Sequence, residues 1–410
     1  MSRLKIGGAT AAELAKEYGT PLYVVDETTL RDNCRRYTDT LKTHYPDFLV
    51  AYAGKANLNI GLLDILASEG LGVDVVSGGE LYTALKSRVR PETIVFHGNN
   101  KSIEELEFAL KSGIRVVADN PQEIETIIKL NLEARVMLRL KPEIEAHTHD
   151  YIKTGHIDSK FGIDKRDYLA IVKELKKHSK IEFLGLHSHI GSQIFDVQPY
   201  EDLVQIMVGH MEEVGGVKEL NLGGGLGIRY IKDDDPPAIE EVVSKMALAL
   251  KAACKTKNIP LPKLILEPGR SIVGSAGTTL YTVGAIKPVP GIKEYLFVDG
   301  GMADNIRPMM YQAKYTFALA DKMDQPAKKS YAIAGKYCES GDVLAENVPL
   351  PEAAVGDVVA VFGTGAYNYS MASNYNRSCK PAMVVVNEGK SRVLVRRETM
   401  EDLIRCDLLT

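Results

Sequence analysis

The stretch Ala51-Tyr52-Ala53-Gly54-Lys55-Ala56-Asn57 decides how the rest of this chain is read. The apolar run leading into it, 48–53, predicts a short buried strand. Gly54 ends the run and Lys55 follows at once. A lysine at the tip of a buried strand is oddly placed for a solvated surface charge. A partly desolvated lysine amine can form a Schiff base with an aldehyde cofactor. A rim lysine that snorkels to water is the alternative. The other strand ends decide between the two.

Working outward, short apolar strands alternate with amphipathic helices. Strands are predicted at 48–53, 73–76, 94–96, 115–117, 135–140, 183–189, 217–222 and 264–266, with helices such as 60–68, 80–86, 102–111 and 123–130 between the early pairs. Strands with helical crossovers predict a parallel sheet. An open doubly wound sheet would explain the alternation. A closed (β/α)8 barrel also would, and the span is near its usual ~250 residues. Upstream, a helix at 11–18, a strand at 22–25 and an N-cap at Asp26 opening a long polar helix are expected. After Gly269 the runs 278–286, 295–298, 331–334, 358–362, 382–386 and 392–395 come with turn signals and little helical period. The expected architecture is α/β plus β. A TIM-like (β/α)8 barrel spans 28–270, and a mostly antiparallel, sandwich- or barrel-like β domain takes 1–27 with 271–410.

The totals set bounds. At 410 residues the chain exceeds one ordinary domain. It is 45% hydrophobic and 25% charged, which is globular composition. A net charge of -4 gives no basic field for nucleic acid. No signal-peptide pattern opens the chain, and no apolar run nears the ~18 residues of a membrane span. Five scattered cysteines argue for a reducing compartment, hence the cytoplasm. No CxxC or HExxH occurs, so no metal site is expected.

In a closed barrel, reactive groups sit at the C-terminal strand ends. Strand one ends in Lys55, strand six in His187-Ser188-His189-Ile190-Gly191-Ser192, strand seven in Gly223-Gly224-Gly225-Leu226-Gly227, and strand eight in Glu267-Pro268-Gly269-Arg270. Each has a bland reading: satisfied core histidines, a tight turn, an ion pair. Four such coincidences at equivalent positions favour the barrel and a site. Backbone N–H groups of a glycine run can ring an anion. A dinucleotide fingerprint would need that run to open directly into a helix, whereas here it continues into Ile228-Arg229-Tyr230. A phosphate site, an amine and an acid on one face fit pyridoxal phosphate. Lys55 would carry it as a Schiff base, and Gly224, Gly225 and Ser192 would hold its phosphate. His189 would lie on its ring, and Glu267 would pair with the ring nitrogen. An opposite charge at contact shifts a pKa by ~1–3 units toward the charged form.

Taken in order, these motifs resemble the diaminopimelate decarboxylases, pyridoxal-phosphate enzymes of the alanine-racemase-like fold (fold type III). The likeness continues through Val298-Asp299-Gly300-Gly301-Met302 with Arg307-Pro308 and Tyr311, Cys338-Glu339-Ser340-Gly341-Asp342, and Gly365-Ala366-Tyr367 running into Tyr375-Asn376. It implies decarboxylation of meso-2,6-diaminopimelate to L-lysine and CO2, the last step of lysine biosynthesis. It implies a homodimer with active sites at the interface. Around the cofactor it implies Lys55, Asp74, His189, Ser192, Gly224, Gly225, Glu267, Gly269, Arg270 and Tyr367. Around the substrate it implies Arg270, Arg307, Tyr311, Glu339 and Tyr367. Cys338 and Glu339 would reach in from the partner, with Cys338, or Lys55 once freed, returning a proton to Cα. The distal zwitterion of the substrate needs guanidinium donors for its carboxylate and an anion for its ammonium. An interface ion pair is the alternative for Arg307 and Glu339.

Two segments depart from the family pattern. Glu145-Ala146-His147-Thr148-His149-Asp150-Tyr151 has unexpected histidines, although Asp158-Ser159-Lys160-Phe161-Gly162 fits, and the stretch 228–237 is acidic and proline-rich. The rivals are same-fold decarboxylases of other basic amino acids, alanine racemase, and a non-catalytic cofactor carrier.

Overall fold

The computed structural model describes residues 2–142 and 160–409. The segment 145–151 and the pair Asp158-Ser159 lie outside the described residues. Two compact units emerge. One comprises Arg31–Ile228 with Asp235–Ile272; the other comprises Met1–Leu30, Arg229–Asp234 and Val273–Thr410. The short segment Arg229–Asp234, inside the sequence-expected barrel span, groups with the second unit.

The first unit is a closed barrel of eight parallel strands, not an open sheet. In chain order these are Phe48–Ala53, Gly72–Val75, Ile94–Phe96, Arg115–Ala118, Ala134–Arg139, Ile181–His187, Glu219–Asn221 and Lys263–Leu266. Closure comes from strand eight pairing with strand one, Ile265 opposite Leu49. Inside the barrel, Leu49, Ala51, Val95, Val117, Met137, Leu184 and Ile265 form one buried cluster. Burying an aliphatic chain of this size stabilises by about 1.5–3 kcal/mol. That apolar plug leaves the polar chemistry to the strand ends.

Local signals set the helix limits. Ser102 and Glu105 form a reciprocal capping box at the start of Ile103–Lys111. Asn120 caps Pro121–Leu130, whose proline sits in the first turn, and Asn131 closes it in the left-handed conformation. Asp26 accepts from the Thr29 amide at 3.2 Å and starts Glu27–His44, as expected of a cap.

The second unit is a nine-stranded, mostly antiparallel sheet. Its spine is the long strand Gly277–Val289. The first half pairs antiparallel with Leu22–Asp26 and with Val358–Phe362. After a register shift between Val283 and Ala285 it pairs with Lys293–Val298. The N-terminal strand therefore joins this sheet, between Gly277–Val289 and Ala382–Asn387. Phe317–Leu319 and Val343–Leu350 are strands that sequence pattern did not predict. The first is very short, and the second carries no clean alternation of buried and exposed residues along its length.

Candidate active site

The barrel's C-terminal strand ends bring most of the expected residues together. Gly54–Ala56 forms a single tight turn after strand one. A Cβ on Gly54 would stand 2.6 Å from Leu58 and 2.9 Å from the Asp74 carbonyl, so glycine permits the close packing. The turn lifts Lys55 off the rim, and its side chain is exposed rather than desolvated as its strand-tip position suggested. Strand two supplies Asp74, buried.

Glu267, after strand eight, is the hub. Its Oε1 meets His97 Nε2 at 2.6 Å and accepts from Asn221 Nδ2 at 2.5 Å. Among the described residues its Oε2 meets only His187 Nε2, at 3.2 Å, and keeps acceptor capacity. Burial raises the Glu267 pKa, but His97 and His187 outweigh it and hold the carboxyl well below its usual range. Burial pushes His187 down to about 3, so its ring is neutral at neutral pH. Burial also pushes Asp74 up to about 7, with His97 and Lys55 opposing the rise and Glu267 adding to it. By distance, His97, His187 and Glu267 could together hold a cation. The hydrogen bonds just described already account for their approach.

His189 is held neutral as well, by burial first and by the Lys55 and Arg139 charges next. Its Nδ1 accepts from the Gly224 amide at 3.3 Å, which assigns the remaining ring proton to Nε2. The glycine run wraps this edge. Gly223 and Gly225 have φ of 66° and 117°. A Cβ on Gly224 would fall 2.1 Å from the Glu267 carbonyl oxygen. Asn221 Oδ1 accepts from the Gly223 amide at 2.9 Å, tying the run to the Glu267 hub. Arg270, buried, donates to Ser192 Oγ at 3.0 Å. Gly269 follows Pro268, whose carbonyl accepts from the Ala53 amide at 3.0 Å and closes strand eight onto strand one.

In the β unit, Arg307 opens the one-turn helix Arg307–Tyr311. It is buried, and its Nη1 donates to the Tyr315 hydroxyl at 2.5 Å and the Tyr230 hydroxyl at 3.3 Å. The guanidinium carbon lies 5.3–6.0 Å from the ring centres of Tyr230, Tyr311, Tyr315 and Tyr367. No acidic side chain pairs with it among the described residues, and the alternative ion pair with Glu339 is not made within the chain. Tyr367 takes a left-handed φ of 68°, a strained conformation for a non-glycine residue. Cys338 and Glu339 are exposed on a separate turn, with the Cys338 amide donating to Asn376 Oδ1 at 2.9 Å.

Sequence reasoning missed His97, Arg139, Asn221, Tyr230 and Tyr315. The first three obey the strand-end rule already applied to Lys55. His97 follows Ile94–Phe96, Arg139 ends strand five and Asn221 ends strand seven. The two tyrosines carry no local signal.

The barrel with this rim defines a pyridoxal-dependent class of enzyme. The family model described as pyridoxal-dependent decarboxylase, pyridoxal binding domain, matches residues 30–274. The chain is 48% identical to the diaminopimelate decarboxylase of Synechocystis sp. over 99% of its own length and 90% of that protein's. It is 46% identical to the Bacillus subtilis enzyme of that name, over 99% and 95%. It matches the crystal structure of diaminopimelate decarboxylase from M. jannaschii in complex with L-lysine at a TM-score of 0.93 and 37% identity, covering 100% of this chain and 96% of that one. The chain belongs to the diaminopimelate decarboxylase family.

Proposed function

We propose that this chain is a pyridoxal-phosphate enzyme that converts meso-2,6-diaminopimelate to L-lysine and CO2. The barrel rim fits the cofactor on three counts. Lys55 offers an exposed amine. Glu267 is held as a carboxylate with acceptor capacity left on Oε2. The side-chain-free glycine run, with Ser192 and buried Arg270 beside it, is suited to a phosphate.

When bound, pyridoxal phosphate supplies the sink for the electron pair left at Cα as CO2 departs. The protein does the rest. Lys55 anchors the cofactor and yields its place to the substrate amine. His189 covers one ring face, and its neutral state avoids adding positive charge there. Asp74 and Gly269 border the cofactor, and Tyr367 reaches both cofactor and substrate. Arg307, with Arg270 and Tyr311, holds the distal carboxylate, and Glu339 holds the distal ammonium. Cys338 delivers the proton that replaces CO2 at Cα. The enzyme acts as a homodimer, with the exposed Cys338-Glu339 turn serving the partner's site, and it works in the cytoplasm, where its five free cysteines stay reduced.

Arg307 carries the choice of substrate. A buried guanidinium surrounded by tyrosines, with no acid beside it among the described residues, favours a ligand that brings its own carboxylate. Ornithine and arginine have no carboxylate at the distal end. The test is turnover of meso-diaminopimelate by cofactor-supplied protein, with lysine and CO2 both assayed. Arg307→Leu should lower kcat/KM by roughly 10- to 150-fold, the equivalent of one charged hydrogen bond. Lys55→Ala should lose the near-visible absorbance band together with turnover. Preference for ornithine or arginine would transfer the chain to the diamine-forming decarboxylases, and a band without any turnover would make it a carrier.

A further inference from the structure

Asp304 takes no part in the roles above, yet it is buried at 1% exposure in the β unit. A carboxylate is buried only where donors saturate it. Here the donors come from three separate segments. The Gly301 amide donates to Oδ1 at 3.1 Å and to Oδ2 at 3.3 Å from within the same turn. The Tyr281 hydroxyl donates to Oδ2 from the long strand. The Tyr337 hydroxyl donates to Oδ1 at 3.1 Å from the turn that carries Cys338 and Glu339. The Tyr23 hydroxyl, on the N-terminal strand, donates to the Asp304 carbonyl at 2.6 Å.

Two of these connections lead straight to functional side chains. Three residues after Asp304 the chain begins the helix that places Arg307. One residue after Tyr337 comes Cys338. Asp342 reinforces the same join, accepting from the Met302 amide at 2.7 Å and the Tyr337 amide at 2.9 Å. The Lys336 amide donates to the Gly300 carbonyl at 3.0 Å.

We propose that Asp304 is a positioning residue that holds the substrate arginine Arg307 and the Cys338-Glu339 turn in one register. The inference rests on the functional reading given above. On that reading Arg307 serves its own chain's site and the turn serves the partner's. One buried carboxyl group then sets a binding contact in one site and, through Cys338 and Glu339, proton delivery and a second binding contact in the other.

Asp304→Asn keeps the side-chain shape but turns one acceptor into a donor that faces a donor. For each cofactor-loaded site, KM for diaminopimelate should rise and kcat should fall, each roughly tenfold. The cofactor band should not change. Tyr337→Phe removes one donor on the turn side only, so it should lower kcat through Cys338, with any rise in KM coming through Glu339. Mixed dimers separate the two arms. A Lys55→Ala chain paired with an Asp304→Asn chain leaves one loaded site, with a disturbed arginine and an intact partner turn; it should show the KM defect only. A Lys55→Ala/Asp304→Asn chain paired with wild type should show the kcat defect, which the first hybrid lacks. Kinetic constants per loaded site within about twofold of wild type in both hybrids would overturn the inference, even if the melting temperature fell. Should Asp304→Asn fail to fold, an unchanged kcat in Tyr337→Phe would overturn it equally. Lack of activity in a Lys55→Ala/Cys338→Ala mixed dimer would instead remove the shared-site reading, and the coupling with it.

Discussion

Asp74 shows how a single side chain draws its chemistry from its neighbours. Burial pushes its pKa up to about 7, against an ordinary carboxyl value of 3.8. A folded-state pKa above the unfolded one means that the folded chain keeps a proton which the unfolded chain has released. The resulting stability is fully present below the unfolded value and is lost as pH rises through the folded one. Cofactor-free wild type should therefore lose stability relative to Asp74→Asn by ~2–3 kcal/mol between about pH 5 and pH 8. Denaturant melts of both proteins across that range check it, and parallel curves would refute the protonated Asp74. The residue is visible in the sequence only as an acid inside a strand. Its elevated pKa comes first from burial inside the closed barrel, with Glu267 adding to the rise and His97 opposing it, which no local pattern announces. Arg307 is a similar case: the sequence marks it through the Arg307-Pro308 motif, while Tyr230 and Tyr367 reach it from segments distant in sequence.

At the scale of elements, the glycine run after strand seven and the helix before it respond differently to the same change. Gly224→Ala would drive a Cβ to 2.1 Å from the Glu267 carbonyl, a backbone atom with no room to swing away. The loops after strands seven and eight must separate, at a cost of about 1–3 kcal/mol for overpacking. Affinity for pyridoxal phosphate, followed by absorbance titration, should fall about tenfold or more. Gly209 lies in the middle of Gln198–Glu213, and a Cβ there meets nothing within 4 Å. Gly209→Ala should raise stability by about 0.5–1 kcal/mol and leave cofactor binding alone. The two variants together separate a glycine required by close approach from one that only adds freedom to the unfolded chain. The run's place at the end of strand seven was legible. Its packing against strand eight was not.

At the scale of the whole molecule, the barrel's opposite face is a matter of stability rather than catalysis. Arg115 opens strand four and Glu219 opens strand seven, and they form a buried, two-pronged ion pair with both contacts at 2.7 Å. Breaking such a pair leaves one buried charge uncompensated, at a cost of about 3–5 kcal/mol. Arg115→Ala should lower the unfolding free energy by that amount, while kcat and KM per loaded site stay at wild-type values. A kinetic defect without loss of stability would place this pair in the site after all. The sequence by itself determined the alternation of strands and helices, the change of grammar after Gly269, and the residues that close each strand. Those features follow from hydrophobic period, capping and turn chemistry within a few residues. Only the tertiary structure decided that the sheet closes and that His97 and Asn221 converge on Glu267. It alone decided that Tyr230 and Tyr315 enclose Arg307, and that Tyr281 and Tyr337 meet on Asp304. His97 and Glu267 are 170 residues apart, and Tyr230 and Arg307 are 77 apart. Contacts at that range depend on strand order and closure, which the chain specifies through packing of the whole barrel and sheet and not through any local stretch.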